Sequence, residues 1–377
     1  MKIPFNKPFF IGKEIEYIKK SVKTGHIAGD GLFTRKCHVL LEKKLNAKKV
    51  LLTTSCTSAL EMTAILCGVK PGDEVILPSY TFVSTANAFY LRGAKPVFVD
   101  IRPDTLNIDE SKINQAVTKR TKVIVPVHYA GVGCEMDRIM KIARDNGLYV
   151  VEDAAQGIDA TYKKRRLGTI GDFGALSFHE TKNCMCGEGG ALIINNKKFI
   201  ARAEVIREKG TDRSKYFRGE IDKYTWVDAG SSYLPSDILA AFLYAQLENL
   251  HKITRRRKEI YGFYYDKLFS LAQKGLLKLP NIPKHCGSNH HLFHIQLKDM
   301  KTRDDLLNYL KRKKIHAVFH YIPLHLSAVG RSMGYKKGQF PITEAVSDRS
   351  LRLPFYYGLN DIQQLKVVRS IRQFFKE

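Results

Sequence analysis

What this sequence lacks narrows its identity first. No continuous apolar run approaches the roughly 20 residues that a membrane-spanning helix needs. The opening stretch, MKIPFNKPFF, has no apolar core of the kind a secretory leader carries. No membrane partner and a cytoplasmic location are therefore expected. The cysteines, Cys37, Cys56, Cys67, Cys134, Cys184, Cys186 and Cys286, are odd in number and show no repeated CxxC spacing. That excludes a disulfide framework or a patterned zinc site, so reduced thiols and no metal are expected. Internal repeats and low-complexity stretches are absent. Acidic residues are scarce, 37 against 62 lysines and arginines, and the net charge is +25. Such a field attracts nucleic acid, anionic membrane or phosphorylated small molecules. The densest basic runs, 255–258 and 311–314, lie within helical patterns and lack the interleaved aromatics of an RNA-binding module. A lysine-rich solvated surface and no nucleic-acid partner follow.

What is present is a rhythm. After an N-terminal arm, helices and a loop at 24–31, strands are predicted at 49–53, 74–77, 96–100, 122–127 and 148–152, with helices at 57–67, 82–92, 109–118 and 135–146. Short strands alternating with helices of about three turns specify an α/β fold, a mainly parallel sheet covered on both faces. Such sheets bind ligands at the C-terminal ends of their strands. Beyond residue 235 the pattern changes to long helices at 236–250 and 252–271, the second too charged on one side to be buried all round. A strand at 290–297, a helix at 303–313, a strand at 317–320 and a closing helix at 362–375 complete an α+β module. The expected division is 1–235 for the arm and large domain, 236–272 for connecting helices and 273–377 for a smaller domain.

Chemistry-bearing residues gather at the predicted strand ends. SFHETKN, 177–183, follows an apolar strand at 174–178 and precedes Gly187, Gly189 and Gly190, so Lys182 sits where a Schiff-base lysine belongs. In YVVEDAAQG, 149–157, Asp153 ends an apolar strand, where a buried carboxylate is costly without a cationic partner. A protonated pyridine nitrogen would supply one; taken alone, Asp153 equally serves as the cap of a helix starting at Ala154. TTSCTSALE, 53–61, runs from strand to helix through Cys56, Thr57 and Ser58 and suits a phosphate, or simply caps the helix. Tyr80 and Phe82 stand at another strand-to-helix junction, where an aromatic stacks on a planar ring or packs into the core. His128, in PVHYAG, reads as structural.

These strings, with LRGAKPVFVDIRPDTLNID, REKGTDRSKYFRGEIDKYTWVDAGSSYLPSD and VFHYIPLH, resemble the nucleotide-sugar aminotransferases, pyridoxal 5'-phosphate (PLP) enzymes of fold type I, over nearly the whole chain. The resemblance implies that Lys182 forms the internal aldimine and shuttles a proton, Asp153 pairs with the pyridine nitrogen, Gln156 bonds the phenolic oxygen and Phe82 stacks on the ring. Cys56, Thr57, Ser58 and Ser177 would hold the phosphate. Ser232 stands where many members place an asparagine reaching the phosphate from the partner subunit. His320, Tyr321 and His325 would line the sugar pocket, with Tyr356 and Tyr357 as further candidates. The implied reaction is amino transfer from L-glutamate to C4 of a 4-keto-6-deoxy sugar nucleotide in a homodimer with shared active sites. The longer strings lean toward dTDP-4-keto-6-deoxyglucose as acceptor, dTDP-4-amino-4,6-dideoxygalactose as product and surface-glycan biosynthesis as the setting. Transfer at C3 or to another nucleotide sugar is the alternative within the class. Outside it stand a degenerate fold kept for regulation or binding, and a basic nucleic-acid-binding protein; intact Lys182, Asp153 and Gln156 argue against the first.

Overall fold

The computed structural model describes all 377 residues. Its large sheet is built from β1 (Lys49–Thr53), β2 (Glu74–Pro78), β3 (Lys95–Val99), β4 (Thr121–Ile124), β5 (Tyr149–Asp153), β8 (Phe173–Ser177) and β9 (Gly190–Ile194), with a small hairpin, β6 (Thr161–Tyr162) and β7 (Arg165–Arg166), between β5 and β8. The spatial order is β1-β9-β8-β5-β4-β2-β3. Only β9 runs against its neighbours, β1 and β8; the other pairings are parallel. The parallel β/α rhythm read from the sequence is therefore present, with the predicted strand and helix ends shifted by a few residues.

Side chains alternate across this sheet as the pleat requires. Leu51, Val75, Val123, Val151, Phe173, Ala175 and Leu192 join one core, which holds the helix Cys56–Leu66. Their neighbours Val50, Leu52, Leu176 and Ile193 pack into a second core on the opposite face, and Ile76, Ile124 and Val150 into a third. Both faces are covered, which is why these strands read as apolar runs rather than alternating ones. The edge formed by the C-terminal ends of β1, β2, β5 and β8 is left to bind a ligand.

A separate core lies toward the C-terminus. Helices Leu250–Gln273, Met300–Arg312 and Asp361–Phe374 pack on an antiparallel sheet of β11 (His294–Gln296), β12 (Val318–Phe319) and β13 (Ser350–Arg352), after the short β10 (Cys286–Gly287) has paired with β6. β13 is the central strand of this sheet. Ile3 of the N-terminal arm joins this core and bridges to Ile315, so the chain's start is tied to its end. The predicted strands at 290–297 and 317–320 are present but shorter. In the basic run 255–258, Arg257 departs from the solvated reading: it is buried, its Nε donates to the His290 carbonyl at 3.0 Å, and its guanidinium lies 4.6 Å from the Phe355 ring centre. No helix is long and apolar enough to cross a membrane.

Candidate active site

The four strand ends converge on one cavity of about 440 Å³. At the end of β1, Ser55 caps the helix Cys56–Leu66, its Oγ accepting from the Ser58 amide at 3.0 Å. Ser58 Oγ lies 2.8 Å from Thr54 Oγ1, and Thr57 Oγ1 donates to Ser84 Oγ at 2.8 Å, joining this helix start to that of Val83–Tyr90. The amides of Cys56 and Thr57 make no hydrogen bond within the protein. Two free N–H groups ringed by hydroxyls at a helix start form an anion cradle. Behind it runs Gly190: a Cβ there would lie 2.3 Å from the Ser55 carbonyl carbon, so only glycine lets β9 pass this close.

Across the cavity, β5 ends in Asp153, 6% exposed. Its Oδ2 accepts from Thr85 Oγ1 at 2.7 Å and its Oδ1 from the Ala155 amide at 3.1 Å, but no cation pairs with it. No helix begins at Ala154, which sets aside the cap reading; Asp153 is held in a turn with its charge uncompensated. Glu152, one residue earlier, points the other way and accepts from His128 Nε2 at 2.9 Å and from the amides of Gly168, Ile170 and Gly171. His128 is thus structural, as the sequence suggested.

Lys182 emerges from the turn after β8, the parallel neighbour of β5, and lines the same cavity. Its Nζ forms neither a hydrogen bond nor an ion pair within the protein. Burial pushes its pKa down, the neighbouring Cys56 and Asp153 oppose that, and the Arg352 guanidinium adds to it. Free anion-binding amides at one end, a carboxylate without a cation at the other and an unpartnered amine beside them fit a ligand with a phosphate, a protonated ring atom and an electrophilic carbon. This donor set is the one pyridoxal phosphate requires.

Of the residues singled out in the sequence, Cys56, Thr57, Phe82, Asp153, Gln156, Ser177, Lys182, His320 and Tyr321 all line this cavity. Phe82 is 59% exposed and caps no core; it stands at the mouth. Gln156 accepts from the Ala130 amide at 2.7 Å through Oε1 and donates to Tyr321 Oη at 3.2 Å. Ser58 lies one layer behind the wall, bonded to Ser55. His325 lies elsewhere: the turn after Pro323 carries it, buried, between Ser79 Oγ at 2.7 Å and Glu344 Oε1 at 3.1 Å. Tyr356 is in the C-terminal core, Tyr357 stacks on Phe9, and Ser232 is exposed and away from the cavity of its own chain.

Several cavity residues gave no sequence signal. Thr85 orients Asp153. His291 donates from Nδ1 to Asn183 Oδ1 at 2.8 Å, an assignment fixed because Asn183 Nδ2 donates to the Asn289 carbonyl, so Nε2 keeps its lone pair. Arg352, on β13, donates to His320 Nε2 at 3.0 Å.

Residues 10–372 match the model of the DegT/DnrJ/EryC1/StrS aminotransferase family. The chain is 33% identical to the spore coat polysaccharide biosynthesis protein SpsC of Bacillus subtilis, over 99% of this chain and 97% of that protein. It is 29% identical to the GDP-perosamine synthase of Escherichia coli O157:H7, over 100% and 99%. Among solved structures it is similar to Spr1654 of Streptococcus pneumoniae in its PLP-form, 25% identical with a TM-score of 0.92, covering 100% of this chain and 99% of that one. A lysine, a carboxylate and an anion cradle set around one cavity thus coincide with a family match over nearly the full length, and the chain belongs to the DegT/DnrJ/EryC1/StrS aminotransferases.

Proposed function

We propose that this protein moves an amino group from L-glutamate to C4 of a 4-keto-6-deoxy sugar nucleotide, with dTDP-4-keto-6-deoxyglucose as acceptor and dTDP-4-amino-4,6-dideoxygalactose as product. The observation that carries amino transfer is a buried Asp153 carboxylate that no cation pairs with and a Lys182 amine without a hydrogen-bond partner, set at the ends of adjacent parallel strands on one cavity. Pyridoxal phosphate, when bound, supplies an electron-withdrawing ring and a carbonyl carbon that carries the amino group between the two substrates. Asp153 would hold its ring nitrogen, Gln156 its phenolic oxygen, Phe82 its exposed face and Lys182 its carbonyl carbon. The amides of Cys56 and Thr57, with the Thr57 and Ser177 hydroxyls, would hold its phosphate, and Ser58 would support them from behind through Thr54 and Ser55.

The protein's own part is positioning and proton movement. Thr85 and the Ala155 amide fix Asp153 so that its charge faces the cavity without reorganisation. Desolvation favours the neutral Lys182 amine, the form that would take a proton from the donor's α-carbon and hand it to the cofactor's carbonyl carbon. His320 and Tyr321 border the space left for the sugar, and the basic surface draws in the diphosphate. His325 enters this scheme only through the fold, behind the wall.

A second subunit completes the site in this reading. Phe217 and Trp226, 69% and 79% exposed in the segment before Ser232, give an apolar surface for a homodimer contact. We take the chain as 1–235 for the arm and cofactor domain, 236–272 for connecting helices and 273–377 for the small domain; the C-terminal core supports a second domain, and it also takes in Ile3 and the half of the long helix from Ile260 to Leu271.

A GDP-linked acceptor is the competing reading, favoured by the similarity to GDP-perosamine synthases of 29% and 30% identity. Incubating the enzyme with L-glutamate and either the dTDP- or the GDP-linked 4-keto-6-deoxy sugar, with the product resolved by mass spectrometry and proton NMR, separates the two. An axial amine at C4 of the dTDP sugar is expected. Consumption of the GDP sugar alone would replace the acceptor, and an amine at C3 would replace the position.

A further inference from the structure

Gln156 is anchored at two points and has one hydrogen to spare. It is 7% exposed, in the turn after β5. Its Oε1 accepts from the Ala130 amide at 2.7 Å; a backbone N–H only donates, which fixes which end of the side chain is oxygen. Nε2 therefore carries two hydrogens. One goes to Tyr321 Oη at 3.2 Å, and the other meets no acceptor in the protein. Both side chains line the cofactor cavity, so the spare hydrogen belongs to its wall.

Tyr321 reaches Gln156 across 165 residues, from a segment fastened to the large sheet. Its carbonyl accepts from Ser347 Oγ at 2.6 Å, on the helix Pro341–Arg349. That helix is held in turn by Asp100, just past β3, whose carboxylate accepts from the Ile342 and Thr343 amides at 3.2 and 2.8 Å and from Thr343 Oγ1 at 2.8 Å. The Leu324 amide donates to the Ser79 carbonyl, just past β2, at 3.0 Å. The Tyr321 ring lies edge-on to those of Tyr80 and Tyr129, with centres 5.5 and 6.3 Å away. Desolvation raises the Tyr321 phenol above its ordinary range, with Tyr129 and Asp153 adding and Arg352 and Gln156 opposing. It stays protonated and neutral, and toward Gln156 its oxygen accepts.

A glutamine amide turns about a broad, roughly two-fold torsion. Held by Ala130 alone, its plane would swing about one fixed point; Tyr321 supplies the second and aims the spare N–H before any ligand arrives. A donor aimed in advance costs no reorientation when it meets a charge. We propose that Tyr321 is a positioning residue that acts through Gln156, aiming its free N–H at the phenolic oxygen of pyridoxal phosphate. The inference rests on the cofactor reading of the cavity and deepens it. Beyond bordering the sugar, Tyr321 links the segment docked on Ser79 and Asp100 to the electronic state of a ring whose other contacts come from the large sheet.

The test compares the parent holoenzyme with Y321F, which keeps the ring and loses the acceptor for Nε2. A donor on the phenolic oxygen favours its ionised form, so a donor left unaimed raises the pH at which the cofactor's visible absorbance changes. A rise of about half to one pH unit is expected, as one weakened hydrogen bond gives. Asp153, Lys182, His291, His320 and Arg352 line the cavity in both proteins, so the shift reports the one hydroxyl. Q156L should raise the midpoint at least as far, and Y321F added to Q156L should raise it no further, because the two side chains act as one unit. Should Q156L not fold, because the Ala130 amide loses its acceptor, the Y321F midpoint still decides. An unmoved midpoint in Y321F overturns the inference, even where its urea midpoint falls, since that is the mark of a merely structural tyrosine. Additive shifts in the double variant also overturn it and assign the Tyr321 hydroxyl to the ligand directly. A parent protein that takes up no pyridoxal phosphate overturns the cofactor reading and the inference with it, whereas a normal parent band with an unmoved Y321F midpoint removes the inference alone.

Discussion

Two adjacent carboxylates divide structure from chemistry, and Glu152→Gln isolates the structural one. Glu152 is fully buried; Oε1 accepts from the amides of Ile170 and Gly171 at 2.6 and 2.7 Å, and Oε2 from the Gly168 amide at 2.9 Å and His128 Nε2 at 2.9 Å. His128 Nδ1 accepts from the Cys134 amide at 3.2 Å, so Nε2 carries the ring proton and donates. Each oxygen therefore faces two N–H groups, and a glutamine in either orientation sets its own NH₂ against a pair of donors. Losing two hydrogen bonds to a charged group costs roughly 3–6 kcal/mol, at about 1.5–3 kcal/mol each. That is a large share of a typical stability of about 5–15 kcal/mol. Urea denaturation of the cofactor-free protein, read as the shift in midpoint at unchanged slope, measures it. A loss below about 1 kcal/mol would refute the argument that Glu152 clamps the 168–171 turn under the sheet. Any variant protein that still folds should bind pyridoxal phosphate as the parent does, because Asp153 and the cradle are untouched.

Asp153→Asn should do the reverse, with little change in urea midpoint and amino transfer slowed roughly 10²- to 10³-fold, as expected when one preorganised electrostatic group is removed; steady-state kinetics at saturating cofactor checks it. Thr85→Val removes the 2.7 Å bond to Asp153 with almost no change of shape, and should weaken pyridoxal phosphate about tenfold, measured by titrating the apoenzyme. Acid should destabilise the fold before any carboxylate titrates. Burial holds His38, His291 and His320 well below the ordinary histidine range and His290 and His294 at about 4. The unfolded chain takes up protons near pH 6.5 where the folded one does not, so stability is complete above that and falls as pH drops, by up to about 1.4 kcal/mol per pH unit for each histidine. A urea midpoint that stays flat from neutral pH to about pH 5 would contradict this.

The parts of the site that could be read from the sequence are those that local pattern places. Lys182, Asp153 and the helix start at Thr57 each follow a predicted strand in a parallel sheet, and such ends share one edge. Arg352 was hidden because its three-residue strand, Ser350–Arg352, has no period to detect and takes its partners from Val318 and His294. Thr85 and His291 act through contacts at separations of 68 and 108 residues, which no spacing rule reaches. His320 and His325 share one string, yet the turn after Pro323 sends the second to Ser79 and Glu344. Arg257 sits in a basic run with no local sign of burial, yet it bonds the carbonyls of His290 and His291. Ser232, expected to reach a phosphate of a partner subunit, is exposed and away from the cavity of its own chain.

The central claim is that Lys182 and Asp153 serve one cofactor in two successive half-reactions. Near-ultraviolet and visible absorbance of the purified enzyme with pyridoxal phosphate, recorded before and after L-glutamate and then after dTDP-4-keto-6-deoxyglucose, tests it most directly. The expected result is a cofactor band that glutamate bleaches and the keto sugar restores, with both changes lost in Lys182→Ala. A band that glutamate leaves intact, or a Lys182→Ala protein that still cycles, would contradict it.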